Sequence, residues 1–115
     1  MSEAALQRAT RDLLEWKYRD ACVALHVANE GKRSVVAGRQ LKRQGMLPGA
    51  ADWVILGRGR WGCIELKSGC GRLSPSQKNF CSRVEKMGGR YCIARSLDEF
   101  EVHLRWILGL AEAGE

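Results

Sequence analysis

Asp52, Glu65, Lys67 and Gln77 are the residues whose types and spacing carry chemistry in this chain. In Cys63-Ile64-Glu65-Leu66-Lys67 an acid and a base alternate with other residues, and strand side chains alternate faces, so Glu65 and Lys67 point the same way. Such a pair is either a structural ion pair or part of a site. Taking Gly59 as the centre of a hairpin, Asp52 lies seven residues before it, Glu65 six after and Lys67 eight after, so all three reach one end. Cross-strand neighbours and diagonals lie roughly 5 to 8 Å apart, close enough for the Asp52 and Glu65 carboxylates to converge if they share a face.

Two acids that close repel one another unless a cation sits between them. Carboxylate oxygens without an accompanying histidine or thiolate suit a hard ion, Mg²⁺ or Mn²⁺, completed by waters and a backbone carbonyl such as that of Leu66. Beside such an ion the Lys67 ammonium can orient water and neutralise charge on a phosphate. Gln77 falls on the inward stripe of a helix, near its start. It has two open readings: a site residue, or the third member of the capping box begun by Ser74.

The elements that must position these groups follow from local pattern. Ser2 caps a first helix to about Tyr18, with Leu6, Ala9, Leu13 and Trp16 at helical spacing and Glu3, Gln7 and Arg11 on another face. A strand is expected over 21–27 and a short helix over 35–44, closed by Gly45. Pro48-Gly49-Ala50-Ala51 leads into the hairpin, strands 52–56 and 62–66. Ser74-Pro75-Ser76-Gln77 starts a helix to about Met87, Gly88-Gly89 ends it, 90–94 is a short strand, and Ser96-Leu97-Asp98-Glu99 opens a last helix to about Ala111. Leu97, Phe100, Leu104, Ile107 and Ala111 form that helix's apolar stripe. The order αβαββαβα predicts an α/β fold with a mixed sheet flanked by helices on both faces, each helical crossover returning its strand parallel to the one before.

At 115 residues and 45% hydrophobic, the chain fits a single domain, 1–115, with one core. No apolar run is long enough to span a bilayer, and the start lacks a basic stretch followed by an apolar one, so a cytoplasmic protein without a membrane partner is expected. Five cysteines without a Cys-x-x-Cys pair argue against a disulfide framework and a zinc knuckle; Cys70, between glycines, is the expected exposed thiol. The net charge of +6 favours a polyanionic partner. Its distribution is uneven: Lys32, Arg33, Arg39, Lys42 and Arg43 lie in one short stretch, whereas the last twenty residues are acidic. That basic stretch is either a phosphate-contacting surface or a solvated face.

Other chemistries are weaker. Gly57 to Gly62 matches G-x-G-x-x-G, but a strand follows it where a nucleotide loop needs a helix, so no nucleotide cofactor is expected. His26 and His103 have no nucleophile motif around them and read as structural. No Gly-x-Ser-x-Gly elbow or Walker loop is present. Trp53, Trp61 and Trp106 read as packing residues, with nucleic-acid contact by Arg60 and Trp61 at the hairpin tip a minor alternative.

Asp-x(12)-Glu-x-Lys on a hairpin resembles the core of PD-(D/E)xK nucleases. Together with Asn29-Glu30-Gly31-Lys32-Arg33-Ser34, Gly45 to Asp52, and Gly71-Arg72-Leu73-Ser74-Pro75-Ser76-Gln77, it resembles the VRR-NUC branch, especially its stand-alone, phage-type members, over residues 2–100. The resemblance implies a restriction-endonuclease-like fold and a cytoplasmic, bacterial or phage-encoded origin. It implies Asp52 and Glu65 as ligands of Mg²⁺ (Mn²⁺ substituting), Lys67 as the catalytic lysine and Gln77 as a site residue. It also implies a first-helix acid, carried to Glu3 with Glu15 as competitor. The position before Asp52, usually proline in the family, is Ala51. The implied activity is metal-dependent endonucleolytic hydrolysis of DNA, Holliday-junction-resolvase-like and by a homodimer, with Lys32, Arg33, Arg39, Lys42 and Arg43 on backbone phosphates. The rivals are an inactive branched-DNA-binding module, a linear-duplex endonuclease and an enzyme acting on RNA.

Overall fold

The computed structural model of the chain describes residues 1–28, 39–40 and 43–111. Three helices, α1 (Glu3–Lys17), α2 (Pro75–Lys86) and α3 (Leu97–Leu108), accompany four strands, β1 (Val23–His26), β2 (Trp53–Leu56), β3 (Trp61–Leu66) and β4 (Arg90–Ala94). The expected helix over 35–44 lies mostly outside the described residues. Within it, the backbone at Arg39, Gln40 and Arg43 is helical, the Gln44 N–H donates to Gln40 O at 3.1 Å, and Gly45 takes φ 97°. No helix among the described residues is long and apolar enough to cross a membrane.

The helix starts are those written in the sequence. Ser2, Ser74 and Ser96 accept from the backbone N–H groups of Ala5, Gln77 and Glu99, satisfying donors that the first turn leaves without partners. Gly88 (φ 84°) ends α2, and the left-handed Gly109 (φ 70°) stops α3 short of the expected Ala111, which is exposed.

The sheet runs β1-β2-β3-β4. β2 and β3 form the antiparallel hairpin, and β4 joins β3 in parallel after α2. β1 pairs with β2 antiparallel, contrary to the parallel return expected of a crossover. A parallel pair requires a crossover, but a connection of that length does not dictate one. The antiparallel return matters, because it places the Val27 N–H on Asp52 O at 2.8 Å and sets the end of β1 beside the expected site.

Helices cover both faces. On one, α1 and α3 pack Leu6, Leu13, Leu14, Phe100, Leu104 and Ile107 against Trp53, Ile55, Ile64, Leu66, Cys92 and Ala94. On the other, Val84 and Phe80 of α2 pack against Ala51, Cys63, Val54, Trp61 and Tyr91. β3, sandwiched between these layers, is buried from Gly62 to Leu66. Gly62 lets α3 approach, since a Cβ there would lie 3.0 Å from Ile107 Cδ1.

Two tryptophans differ from expectation. Trp16 is 73% exposed, because α1 turns Thr10 and Leu14 inward instead: Trp53 Nε1 donates to Thr10 Oγ1 at 3.0 Å, and the Thr10 hydroxyl donates to Gln7 O. A buried hydrogen-bonded threonine fixes the rotation of a helix that apolar spacing alone left free. Trp106 is half exposed, with the Arg90 guanidinium 4.1 Å above its ring.

Candidate active site

The hairpin sets the first two groups. Leu56 pairs with Trp61, and the Gly57 N–H donates to Arg60 O, so the turn centres between Arg58 and Gly59 rather than on Gly59. Continued past Trp53 and Ile64, that register sets Asp52 opposite Glu65. The Leu66 N–H donates to Asp52 Oδ2 at 2.7 Å, which fastens the aspartate to the partner strand. The Ala51 side chain is fully buried under α2, so the chain enters β2 tightly without a proline.

Glu65 is 3% exposed. Gln77 Nε2 donates to its Oε2 at 3.1 Å, and Lys67 Nζ lies 3.8 Å from the same oxygen. Oε1 is buried with no partner among the described residues. Burial first, and then the charge of Asp52, push the Glu65 carboxyl up to about 8, with Lys67 opposing. The carboxyl is thus unevenly matched: Oε2 accepts a hydrogen bond from Gln77 with the Lys67 ammonium nearby, and Oε1 has no donor among the described residues.

Gln77 makes two contacts at once. Its Oε1 accepts from the Ser74 N–H at 2.8 Å while its Nε2 reaches Glu65, so the capping box also holds this side chain against the Glu65 carboxyl. The α2 start is held close by Gly49 (φ 76°), where a Cβ would fall 2.3 Å from Ser76 O. The loop after Lys67 is fastened by Arg95, whose Nη1 donates to Gly69 O at 2.9 Å and Gly71 O at 2.7 Å. Gly71 in turn lies against the Lys67 stem, a Cβ there being 3.6 Å from Lys67 Cδ.

These groups line a cavity of about 560 Å³ together with Leu66, Gly49, Ser74 and Ser76, and with Glu3, Gln7 and His26 from α1 and β1. Glu3, the expected first-helix acid, lines the cavity. Glu15 is not: it pairs with Arg19 at 2.8 Å on the surface. Arg39 and Arg43 are exposed and do not line the cavity, and Lys32, Arg33 and Lys42 lie outside the described residues. His26 lines the cavity, a place its sequence pattern did not indicate. It is exposed at the cavity wall, its ring 5.3 Å from that of Trp53. Only the antiparallel turn of β1 brings it there, and no local pattern announces that turn. Arg60 Nε donates to Ile107 O at 3.2 Å, which ties the hairpin tip to the end of α3. Cys70 is exposed, as expected, while Cys63 and Cys92 are buried.

The donor set suits a hard cation. Among the described residues no three His, Cys, Asp or Glu side chains gather as a metal cluster. Two carboxyls with a backbone carbonyl and water is instead the kind of set Mg²⁺ takes, since it keeps several of its waters. The orphaned Glu65 Oε1 and the raised Glu65 pKa are the features such a charge would relieve.

No family model matches the sequence, and no curated protein matches it. Among solved structures, one described as "VRR_NUC domain protein" matches with a TM-score of 0.74 and 19% identity, over 97% of this chain and 92% of that chain. The chain therefore has that protein's fold, the restriction-endonuclease-like α/β architecture expected from its motifs.

Proposed function

We propose that this chain is a metal-dependent nuclease of the VRR-NUC kind that hydrolyses DNA phosphodiester bonds at the Asp52–Glu65 cavity. The observation that carries the reading is Glu65: buried, opposed by Asp52, held by Gln77 and Lys67 on one oxygen and left without a partner on the other. Asp52, Glu65 and the Leu66 carbonyl would hold Mg²⁺, with Mn²⁺ substituting. When bound, such an ion polarises a phosphoryl oxygen and acidifies water.

The chain's own groups do the rest. Lys67 presents a positive charge where negative charge builds on the phosphate, and its partly buried setting strengthens that interaction. Gln77 fixes the carboxyl plane of Glu65 through a side chain already anchored to the helix start. Glu3, which also lines the cavity, would accept a hydrogen bond from the attacking water. Exposed Arg39 and Arg43, with the neighbouring basic residues Lys32, Arg33 and Lys42, would add sequence-independent phosphate contacts.

Branched DNA is the substrate that the family resemblance favours, and a four-way junction cut symmetrically needs two active sites related by a two-fold axis, hence a homodimer. The experiment is cleavage of labelled four-way junction, flap and linear duplex with Mg²⁺, Mn²⁺ or EDTA, comparing the wild type with Asp52→Ala and Lys67→Ala. Metal-dependent cutting of the junction, absent in both variants, is the expected result. Junction binding without cutting under either metal makes the chain a binding module instead, and equal cutting of linear duplex removes the branch selectivity.

A further inference from the structure

The cavity absorbs only part of the stripe on α1. Glu3, Gln7 and Arg11 recur every four residues and so lie along one side of the helix. Glu3 and Gln7 line the cavity of Asp52 and Glu65. Gln7 continues with Arg8 and Arg11 into an adjoining hollow of about 270 Å³. Arg11 then enters a third, of about 430 Å³, reaching Glu15 and Arg19. His26 lines all three hollows, and Trp53 the second and third. Shared walls make them one groove between α1 and the edge strand β1, leaving the cavity at His26.

The chemistry changes along this groove. The acid Glu3 stands in the cavity, the Gln7 amide follows, and the guanidinium of Arg11 comes two turns on, about 12 Å along the axis. Arg8 has no ion-pair partner among the described residues. Arg11 donates to Asp12 at 3.1 Å, but both side chains are 65% exposed. A pair so open to water holds weakly and can be exchanged for a phosphate. Arg19 is tied to Glu15, so the positive end of the groove rests on Arg8 and Arg11. Two guanidinium forks and an imidazole, lining a trough that opens from a carboxylate cavity, match a chain of phosphodiesters.

We propose that this groove carries the DNA strand on one side of the bond to be cut, with Arg8 and Arg11 on its backbone phosphates and His26 where the strand enters the cavity. The inference rests on the nuclease reading and adds to it a path and a polarity of charge. The interactions are with the backbone and read no sequence.

The test is binding of a fluorescent four-way junction to the full chain in EDTA across a salt series, for wild type, Arg8→Ala/Arg11→Ala, and Arg83→Ala on the exposed side of α2. For each phosphate that no longer meets a cation, the slope of log affinity against log salt falls by about 0.9, so the double variant should show a slope smaller by nearly two, while Arg83→Ala keeps the wild-type slope. Junctions carrying single uncharged methylphosphonate linkages then locate the phosphates that the arginines hold. Linkages on one side of the cut should weaken the wild type and leave Arg8→Ala/Arg11→Ala unaffected. Melting curves confirm that the variants are folded. If the wild type cuts DNA but the double variant keeps its slope and its linkage pattern, the groove is overturned and the nuclease reading stands. If the wild type neither binds nor cuts, both fall.

Discussion

The two ends of the β2–β3 hairpin carry charge in opposite ways. At the turn, Arg60 and Arg90 donate to the carbonyls of Ile107 and Trp106 in the last turn of α3, the latter carbonyl also accepting from the Gly109 N–H. Each guanidinium is matched to a backbone group, and Arg90 also lies on the Trp106 ring. At the other end, Glu65 is buried against Asp52 with one oxygen unmatched and its carboxyl pushed up to about 8. The same strands thus hold one set of charges that completes the fold and one set that the fold leaves incomplete. Incomplete polar groups in a buried place cost stability, and that cost is the physical mark of a site that awaits something.

The contrast can be broken in four places. The largest effect should be on stability against pH without metal. Between pH 4.5 and about 8 the unfolded chain releases the Glu65 proton while the folded one keeps it, so the folded state binds more protons and stability falls as pH rises through that window. The displacement corresponds to roughly 5 kcal/mol at most. Below pH 4.5 this penalty is absent, and Glu101, held low first by the hydrogen bonds of Lys17 and Tyr18, acts on that acid side instead. Denaturant melts at several pH values should show the decline, and Glu65→Gln should flatten it; an unchanged slope would mean that Glu65 is not the group responsible.

Next is catalysis. Asp52→Asn keeps an acceptor for the Leu66 N–H but removes the charge, and should lower the cleavage rate by about 10²–10³-fold or more with the melting temperature held or raised. A variant that melts early would place Asp52 among the structural groups. At the turn the signs reverse. Arg60→Ala and Arg90→Ala should each cost about 1 kcal/mol of stability, seen in denaturant midpoints, and leave the activity of the folded protein unchanged. The smallest effect is at Arg95→Ala, which frees the Gly69 and Gly71 carbonyls and loosens the Lys67 loop. It should lower kcat several-fold with KM nearly constant, and Arg95→Lys should restore part of it.

Much of this arrangement was legible in the chain. The capping serines, the hairpin and the Asp52/Glu65/Lys67 spacing are local signals, and each came out within a residue or two. Gln77 was legible as a cap, and the structure adds that the same side chain reaches Glu65. What was not legible depends on distant pairing. Thr10 turns α1 because Trp53, 43 positions away, offers it an indole N–H. His26 reaches the cavity because β1 runs antiparallel to β2. Arg60 meets the Ile107 carbonyl because α3 ends beside the hairpin turn. None of these follows from periodicity, which reports the local face of an element and not its neighbour.

The central claim is that Glu65 is held in wait for a cation, and calorimetric titration of Mn²⁺ or Mg²⁺ at pH 7 into wild type and Asp52→Asn tests it most directly. Run in two buffers of different ionisation enthalpy, wild type should bind the ion and release about one proton, because the Glu65 carboxyl must give up its proton to become a ligand. Asp52→Asn should bind far more weakly. Binding that is equal in the two proteins, or that releases no proton, would contradict the account.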